Sequence, residues 1–421
     1  MNQLKRVPHR GLATLAAATF AVIGLSQVST SAATTITLTE EDYFNTPGQI
    51  SALAAYNKQF EASHPGVTVT RTYVPFENLD TKLLTQAAGH DLPNLLAVDN
   101  PFVSTMISTG QVVPLSGFSG FSTQGYYPAV IEEGLSSGKY YSLPVAGANS
   151  IALMYNIAML NAAHVSPPTT WAQLVSAAKA LTTPQHYGIA LTCEAAEDTT
   201  WQWEPFFWSD GGQWSSIASS PGVQALSLWK QLIDEGSASK ACLNWSQTPA
   251  ATDQFLAGKA AMMVNGPWNF PTLNMDHMYY GKQFGIVPVP VRVPGQHVIV
   301  PLGGEDWMIG NSGGSAAQQM AFQWIQGMQT PSQELSLAKL FGYLPAKESV
   351  AKTYLQQAGP EWGVYINQTL YARPRTLGYG TKYPKISLAV WTAIQAGLSG
   401  SQSVQAALNT AQSQIKSILG S

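Results

Sequence analysis

The stretch Thr35–Tyr73, TITLTEEDYFNTPGQISALAAYNKQFEASHPGVTVTRTY, decides how the chain is built. Thr35–Thr39 is β-branched and predicts an opening strand. Gln49–Ala62 then sets Ile50, Leu53, Ala54, Tyr56 and Phe60 on one helical stripe, and His64-Pro65-Gly66 stops it. Val67–Tyr73 alternates as a second strand. Strand, helix, strand is the unit of a parallel or mixed sheet. The unit repeats outward. Asn78–Ala88 predicts a helix ended by Gly89, Asn94–Val98 a buried strand, and Phe102–Ser108 a further helix. In such sheets ligands sit beyond the carboxyl ends of strands. That points at Glu40–Thr46 and at Asp99-Asn100.

The alternation continues to the end of the chain. Strands are predicted at Tyr140–Val145, Ile151–Tyr155, Tyr187–Leu191, Ala260–Val264, Phe284–Val289 and Leu302–Ile309. Helices are predicted at Thr170–Leu181, Pro221–Asp234, Ala316–Met328, Ser332–Leu340, Lys385–Leu398 and Ser403–Leu419. Pro288–Pro301 is rich in Pro and Val and reads as an extended connection. The 421 residues suit two α/β domains, each able to bury its own core.

The first residues read as a leader. Met1–Arg10 holds Lys5, Arg6 and Arg10 with no acid, Gly11–Leu25 is small and apolar, and Ser31-Ala32-Ala33 closes the segment. This is the order of a secretory signal peptide cut after Ala33. The apolar run is shorter than the roughly 20 residues a spanning helix needs. The 21 Lys and Arg less those three leave 18 against 24 Asp and Glu, so the mature charge is −6. No cysteine stands near the cut to carry a lipid. The mature protein is therefore expected outside the cytoplasm, periplasmic or on the extracellular face of the membrane, without a lipobox anchor.

Only 11% of residues are charged, whereas 12 Trp, 17 Tyr and 14 Phe are present. The absence of a basic surplus argues against nucleic acid as a partner. The spread of apolar residues argues against disorder. Export and an even cysteine count favour a disulfide between Cys193 and Cys242, closing a loop of 242 − 193 = 49 residues; two separate buried thiols are the alternative.

No nucleophile elbow, zinc helix, phosphate loop or dinucleotide fingerprint occurs. The histidines are scattered, so no metal and no cofactor is expected. Carboxylates such as Asp99, Glu204, Glu305 and Asp306 could in principle flank a glycosidic bond, which keeps an exported glycosidase as an alternative. The stronger signal is rings beside polar groups. Trp and Tyr stack on the C–H faces of sugars, and Asp, Asn, Gln, Glu and Arg pair with the hydroxyls. Trp201, Trp203, Trp268 in Gly266-Pro267-Trp268, and Trp307 in Gly303-Gly304-Glu305-Asp306-Trp307 have that setting. Trp208, Trp229 and Trp324 lie in helical apolar stripes and read as core; Trp171, after a Thr-Thr cap, reads as structural.

An ordered series of segments carries a resemblance over almost the whole mature chain. It includes FEASHPGVTV (Phe60–Val69), LPNLLAVDNPFVSTMISTGQVVPL (Leu92–Leu115) and GKYYSLPVAGANSIALMYN (Gly138–Asn156), then PFFWSDGGQW, AAMMVNGPWNF, PLGGEDWMIG, GYLPAKESV and ARPRT. In this order they resemble the extracellular solute-binding proteins of bacterial ABC importers, in the carbohydrate branch with the maltose- and trehalose-binding proteins. The resemblance implies a two-lobe, type II periplasmic-binding-protein-like α/β fold with hinge-linked, discontinuous domains. Lobe one would hold residues 34–143 and 281–330, and lobe two residues 144–280 and 331–421. It implies a monomer that captures a mono- or oligosaccharide between the lobes and delivers it to membrane permease subunits, with no bond made or broken. A binding protein of the same fold for a non-sugar solute is the remaining alternative.

Position by position, the resemblance implies that Asp99 binds hydroxyls after the third strand. Gln49 and Asn149 stand where relatives often have acids, and Phe102 where many have Trp. Trp201 and Trp268 match stacking aromatics. Gly304, Glu305 and Trp307 match the glycine turn of lobe one, and Arg373 matches the Arg of the A-R-P turn. Tyr43 and Asn45, at the tip of the first strand, complete the expected ligand-binding set.

Overall fold

The computed structural model describes residues 35–369 and 371–420; the leader segment, Met1–Ala33, lies outside the described residues. Two main sheets organise the described chain. The first runs Val67–Tyr73, Ile36–Asp42, Leu95–Asp99, Glu305–Ile309, Ser142–Pro144 across its width. Its first three strands are parallel, and Glu305–Ile309 is antiparallel to both neighbours. The central strand is apolar on both faces because both are covered. Leu95 and Ala97 point into a core with Leu53, Trp307 and Trp324, while Leu96 and Val98 point into a second one with Leu83, Val103 and Met106. The helix Pro47–Ser63 starts with a capping box, in which Thr46 and Gln49 satisfy each other's backbone N–H groups.

The second sheet has three antiparallel strands, with Ala152–Asn156 between Met262–Asn265 and Phe284–Val287. Leu153 faces the ring-rich core of Trp203, Phe206 and Trp229. Its neighbour Met154 faces the other way, toward Phe255, Leu273 and Tyr365, as a two-residue period requires. The helices Tyr383–Ser399 and Val404–Leu419 close this lobe as a hairpin turned at Gly400.

The chain crosses between the sheets at residues 145–151, at 288–304 and through the helix Pro331–Phe341. The crossings are hydrogen-bonded to one another. Ala148 and Leu344 exchange backbone bonds of 2.8 and 2.7 Å, and Asn149 and Gly303 exchange bonds of 2.8 and 3.0 Å. Gly342 sits at the last crossing with φ +73, where a Cβ would stand 2.3 Å from the carbonyl oxygen of Pro267. Only glycine suits both the left-handed backbone and that contact.

This architecture differs from the sequence expectation in three places. Phe284–Val287, expected in lobe one, pairs with Ala152–Asn156 in the second sheet. The passage back to the first sheet therefore comes after it, in the extended Pro288–Gly304 segment. The helix Pro331–Phe341, expected in lobe two, buries Leu337 and Phe341 in the Leu53–Trp307 core of the first sheet and Ala338 in the Phe255–Tyr365 core of the second sheet. It is a crossing element, with one face in each half. Tyr187–Leu191 forms isolated bridges at Tyr187 and Ala190, and not a strand.

Candidate functional site

A cleft of about 650 Å³ opens between the carboxyl ends of the first sheet and the helix starts of the second half. Tyr43, Asn45 and Gln49 line it from the loop after the first strand, and Asp99 from the end of Leu95–Asp99. Asn149 comes from a crossing segment, Glu305 from the start of the strand Glu305–Ile309, Trp201 from the helix Glu197–Ser209, and Trp268 from its Gly-Pro-Trp turn. Eight of the expected side chains thus meet in one place.

The floor is a charged cluster. The Arg375 guanidinium donates to Asp99 at 3.0 Å and to Glu197 at 2.8 Å, and lies 4.5 Å from the centre of the Trp201 ring. Asp99 ends a strand of the first sheet and Glu197 opens the helix Glu197–Ser209 packed in the ring-rich core of the second, so one cation ties both walls. Burial opposes charge on Arg375, and the carboxylates beside it outweigh that and hold it protonated. Burial pushes the Asp99 and Glu197 carboxyls up, against the pull of Arg375. Glu197 is further fixed by Tyr383 at 2.9 Å and by the Ser387 hydroxyl.

Glu305 stands deeper in lobe one. It accepts from the Tyr43 hydroxyl, and Tyr343 lies against the same carboxyl. Burial, with the charge of Asp99, raises Glu305 to about 7, while the two tyrosines pull it down. Its Oε2 is buried and accepts no hydrogen bond. Trp268 packs on both the Leu53–Trp307 core of the first sheet and the ring-rich core of the second, and its indole N–H donates to Thr248 at 3.3 Å. Its ring folds over Gly266, where a Cβ would meet it at 1.8 Å. Gln49 faces the cleft, yet its amide oxygen already accepts from the Thr46 N–H at 3.1 Å.

Five expectations are corrected. Trp307 is fully buried in the first core, edge-on to Trp324 at 4.8 Å, and lies away from the cleft. Both side chains lie on one face of the strand: Glu305 stands at its cleft end opposite Asp99, and Trp307, two residues further along, reaches the apolar layer beneath. Gly304 is a backbone device, with φ +148 and a Cβ position 2.8 Å from the Gly147 oxygen; its carbonyl accepts from Asn100 at 3.0 Å. Arg373 pairs in a short strand with Val300–Leu302 and stacks on Trp208 at 5.2 Å, so Arg375 takes the place expected for it. Cys193 and Cys242 are free thiols, both fully buried and adjacent, joined through the Cys193 N–H and the Cys242 carbonyl at 3.0 Å. Burial raises the Cys193 thiol well above its usual range, which disfavours the thiolate that disulfide exchange needs. Trp203 is also core, stacked on Phe207 at 4.8 Å. Trp208, Trp229 and Trp324 are buried, as their stripes predict, and Trp171 after its Thr-Thr cap is buried too.

Sequence reasoning passed over Arg375, Tyr343 and the acids Glu194, Glu197 and Asp198, all at the cleft. The A-R-P-R-T stretch holds two arginines, and only distant carboxylates distinguish them. The acids lie just ahead of the Trp-rich run, at a helix start where negative charge is locally favourable anyway.

Comparison with known proteins agrees with this geometry. Residues 55–362 match the family model described as bacterial extracellular solute-binding protein. A binding protein of Brucella abortus (strain 2308) is 26% identical over 249 residues, 56% of this chain and 59% of its own length. The chain thus spans about three fifths of the first curated relatives it matches. The maltotriose-binding protein of Pyrococcus abyssi is 22% identical over 312 residues, 72% of this chain and 65% of that one. Among solved structures, a solute-binding protein from Thermotoga lettingae bound with α-D-tagatose superposes with a TM-score of 0.81 at 22% identity, covering 91% of this chain and 100% of that one. The GacH receptor of Streptomyces glaucescens, solved unliganded and with acarbose, gives 0.79 at 22% identity, covering 91% and 98%. The fold is the two-lobe, type II binding-protein fold, and the chain belongs to the bacterial extracellular solute-binding protein family.

Proposed function

We propose that this solute-binding protein captures a mono- or oligosaccharide in the interlobe cleft and hands it to the permease subunits of an ABC importer, acting outside the cytoplasm as a monomer. The observation that carries the proposal is the pairing of ring faces with hydroxyl partners in one cleft. Trp201 and Trp268 offer flat apolar surfaces, while Asp99, Asn149, Glu305 and Tyr43 offer acceptors and donors around them. A pyranose has that same division between C–H faces and hydroxyl rim, so both wall types are used at once. Asn45 and Gln49 extend the polar wall at the tip of the first strand.

Capture proceeds by closure of the lobes about the crossing segments. The ligand bridges groups carried by different halves, Asp99 and Glu305 on one side and Trp201 and Trp268 on the other. It therefore binds the closed arrangement more tightly and shifts the population toward it. The reading involves no chemical step. The relatives found are binding proteins, and Asp99 is engaged by Arg375.

The test is isothermal titration against a panel of mono-, di- and trisaccharides, with Trp268→Ala alongside. A binding sugar whose affinity falls about ten-fold or more in the variant supports the site. Equal affinity in both proteins discards it. Chromatographic analysis of the titrated mixtures gives the same sugar back unchanged; a cleaved product would return the glycosidase alternative.

A further inference from the structure

The two cleft rings are held in different ways. Trp201 is 4% exposed, lies 4.5 Å from the Arg375 guanidinium, and its indole N–H makes no hydrogen bond. Burial and that contact fix it. Trp268 is half-buried, so packing reaches it from one side only. Its ring lies over Gly266, and its free edge is tied by the bond from the indole N–H to the Thr248 hydroxyl at 3.3 Å. Thr248 itself lines the cleft. It stands where the helical run Gln247–Ala251 is broken, with an extended φ of −145 and ψ of 124. Pro249 follows it, and a residue before proline is pushed to such values.

The tether is backed by buried groups. The Thr248 hydroxyl donates to the side-chain oxygen of Asn269 at 3.2 Å. The Asn269 amide nitrogen donates to the Gly266 carbonyl at 3.2 Å, which fixes which end of that amide faces Thr248. An amide oxygen only accepts, so the one Thr248 proton points inward and the hydroxyl meets the indole N–H as an acceptor. Thr252 lies 3.0 Å from the same Asn269 oxygen and accepts from Asn265 at 3.1 Å. Thr252, Asn265 and Asn269 are at most 1% exposed, and polar groups buried so deeply hold a single arrangement when each is partnered. The same loop is joined to the helix of the other ring. Gln202, beside Trp201, donates to the Gln247 side chain at 2.8 Å, and the Gln247 N–H donates to Asp198 at 3.3 Å.

We propose that Thr248 is a positioning residue of the sugar site: backed by Asn269, it holds the Trp268 ring in the plane on which a pyranose stacks, before any sugar arrives. The proposal rests on the sugar-binding reading given above. A ring set in advance loses no rotamer freedom on binding, so what Trp268 contributes to affinity depends on the tether.

Thr248→Val keeps the shape of the side chain and removes the acceptor, whereas Thr248→Ser keeps the acceptor. The experiment is calorimetric titration of the full chain with the panel of mono-, di- and trisaccharides, glucose, galactose, maltose, trehalose and maltotriose among them. For a sugar that binds, Thr248→Val should bind about five-fold more weakly, the scale of one hydrogen bond, and Thr248→Ser should stay within about two-fold of wild type. Trp268→Phe keeps a ring without the indole N–H; adding Thr248→Val to it should change affinity by less than about two-fold. A second readout needs no sugar. With isotope-labelled tryptophan, the NMR resonance of the Trp268 indole N–H, identified by its loss in Trp268→Phe, should move in Thr248→Val and return in Thr248→Ser. Circular dichroism melts confirm that each variant is folded. Wild-type affinity in Thr248→Val, or an equal loss with and without the indole N–H, overturns the positioning role while sugar binding stands. If no sugar binds, the sugar-binding reading falls, and the orienting role is judged on the resonance alone, which overturns it by staying in place.

Discussion

Replacing Arg375 by Met keeps the length of the side chain and removes its charge. The wild-type guanidinium is 4% exposed and bonds Asp99 at 3.0 Å and Glu197 at 2.8 Å. Losing it strands two carboxylates in a site with no other cation among the lining residues. Breaking a buried ion pair from one side costs about 3–5 kcal/mol. Arg373→Met is the control, because Arg373 is half-buried and stacks on Trp208 at 5.2 Å. A stacked surface cation contributes about 0.5–1 kcal/mol. The sign of the pH dependence follows from the stranded acids. Without Arg375 their folded-state affinity for protons rises further, so the variant is worst where both are ionised and recovers as protons return. Urea unfolding followed by tryptophan fluorescence, at pH 8 and pH 5, reads both effects. Arg375→Met should lose far more than Arg373→Met at pH 8, and the gap should narrow at pH 5. A larger loss for Arg373→Met, or a gap that is the same at both pH values, refutes the clamp.

Trp307→Ala should cost about 3–5 kcal/mol of stability with sugar affinity retained in the folded fraction, whereas Trp268→Ala, at a side chain half-buried against two cores, should cost less stability and lose sugar affinity; thermal melts and titration separate the two. The wild-type protein should melt higher at pH 5 than at pH 8. Glu40 and Asp80 are raised to about 8, and Glu133, Asp198 and Glu305 to about 7, all by burial first. The stability such groups contribute is complete below their unfolded values near 4 and is lost as pH climbs through 7 and 8; a flat or rising melting profile would contradict this. Gly304→Ala forces a side chain into φ +148 against the Gly147 oxygen. It should lower the melting point by several degrees and slow closure, read by the tryptophan signal on rapid mixing with ligand; wild-type behaviour in both would show that the turn is not needed.

How much of this was legible in the sequence follows from range. Local signals located the elements: the stripe of Gln49–Ala62 lies within the helix Pro47–Ser63, and the buried strand expected at Asn94–Val98 forms at Leu95–Asp99. Strand-end logic found Asp99, and the ring-and-turn setting found Trp201 and Trp268. What failed is decided by contacts hundreds of residues away. Phe284–Val287 reads as a strand, but its partner Ala152–Asn156 fixes which sheet it joins. Arg373 and Arg375 are equivalent in sequence until Asp99 and Glu197 choose between them. Trp307 and Glu305 share a face of one strand and a motif, and only the depth of the layer below tells core from cleft.

The bonds that lace residues 148 and 149 to residues 344 and 303 also set the mechanics of the molecule. Three separate strings between two bodies would let them twist, slide and flex independently. Knotted side by side, they behave as one leaf spring, stiff in its plane and soft across it. The two halves then share essentially a single coordinate, the bend of that spring. On the closure proposed above, any contact in the cleft, whether to a ring or to a carboxylate, would be converted into the same rotation. A permease that senses that one angle would read occupancy without ever touching the sugar.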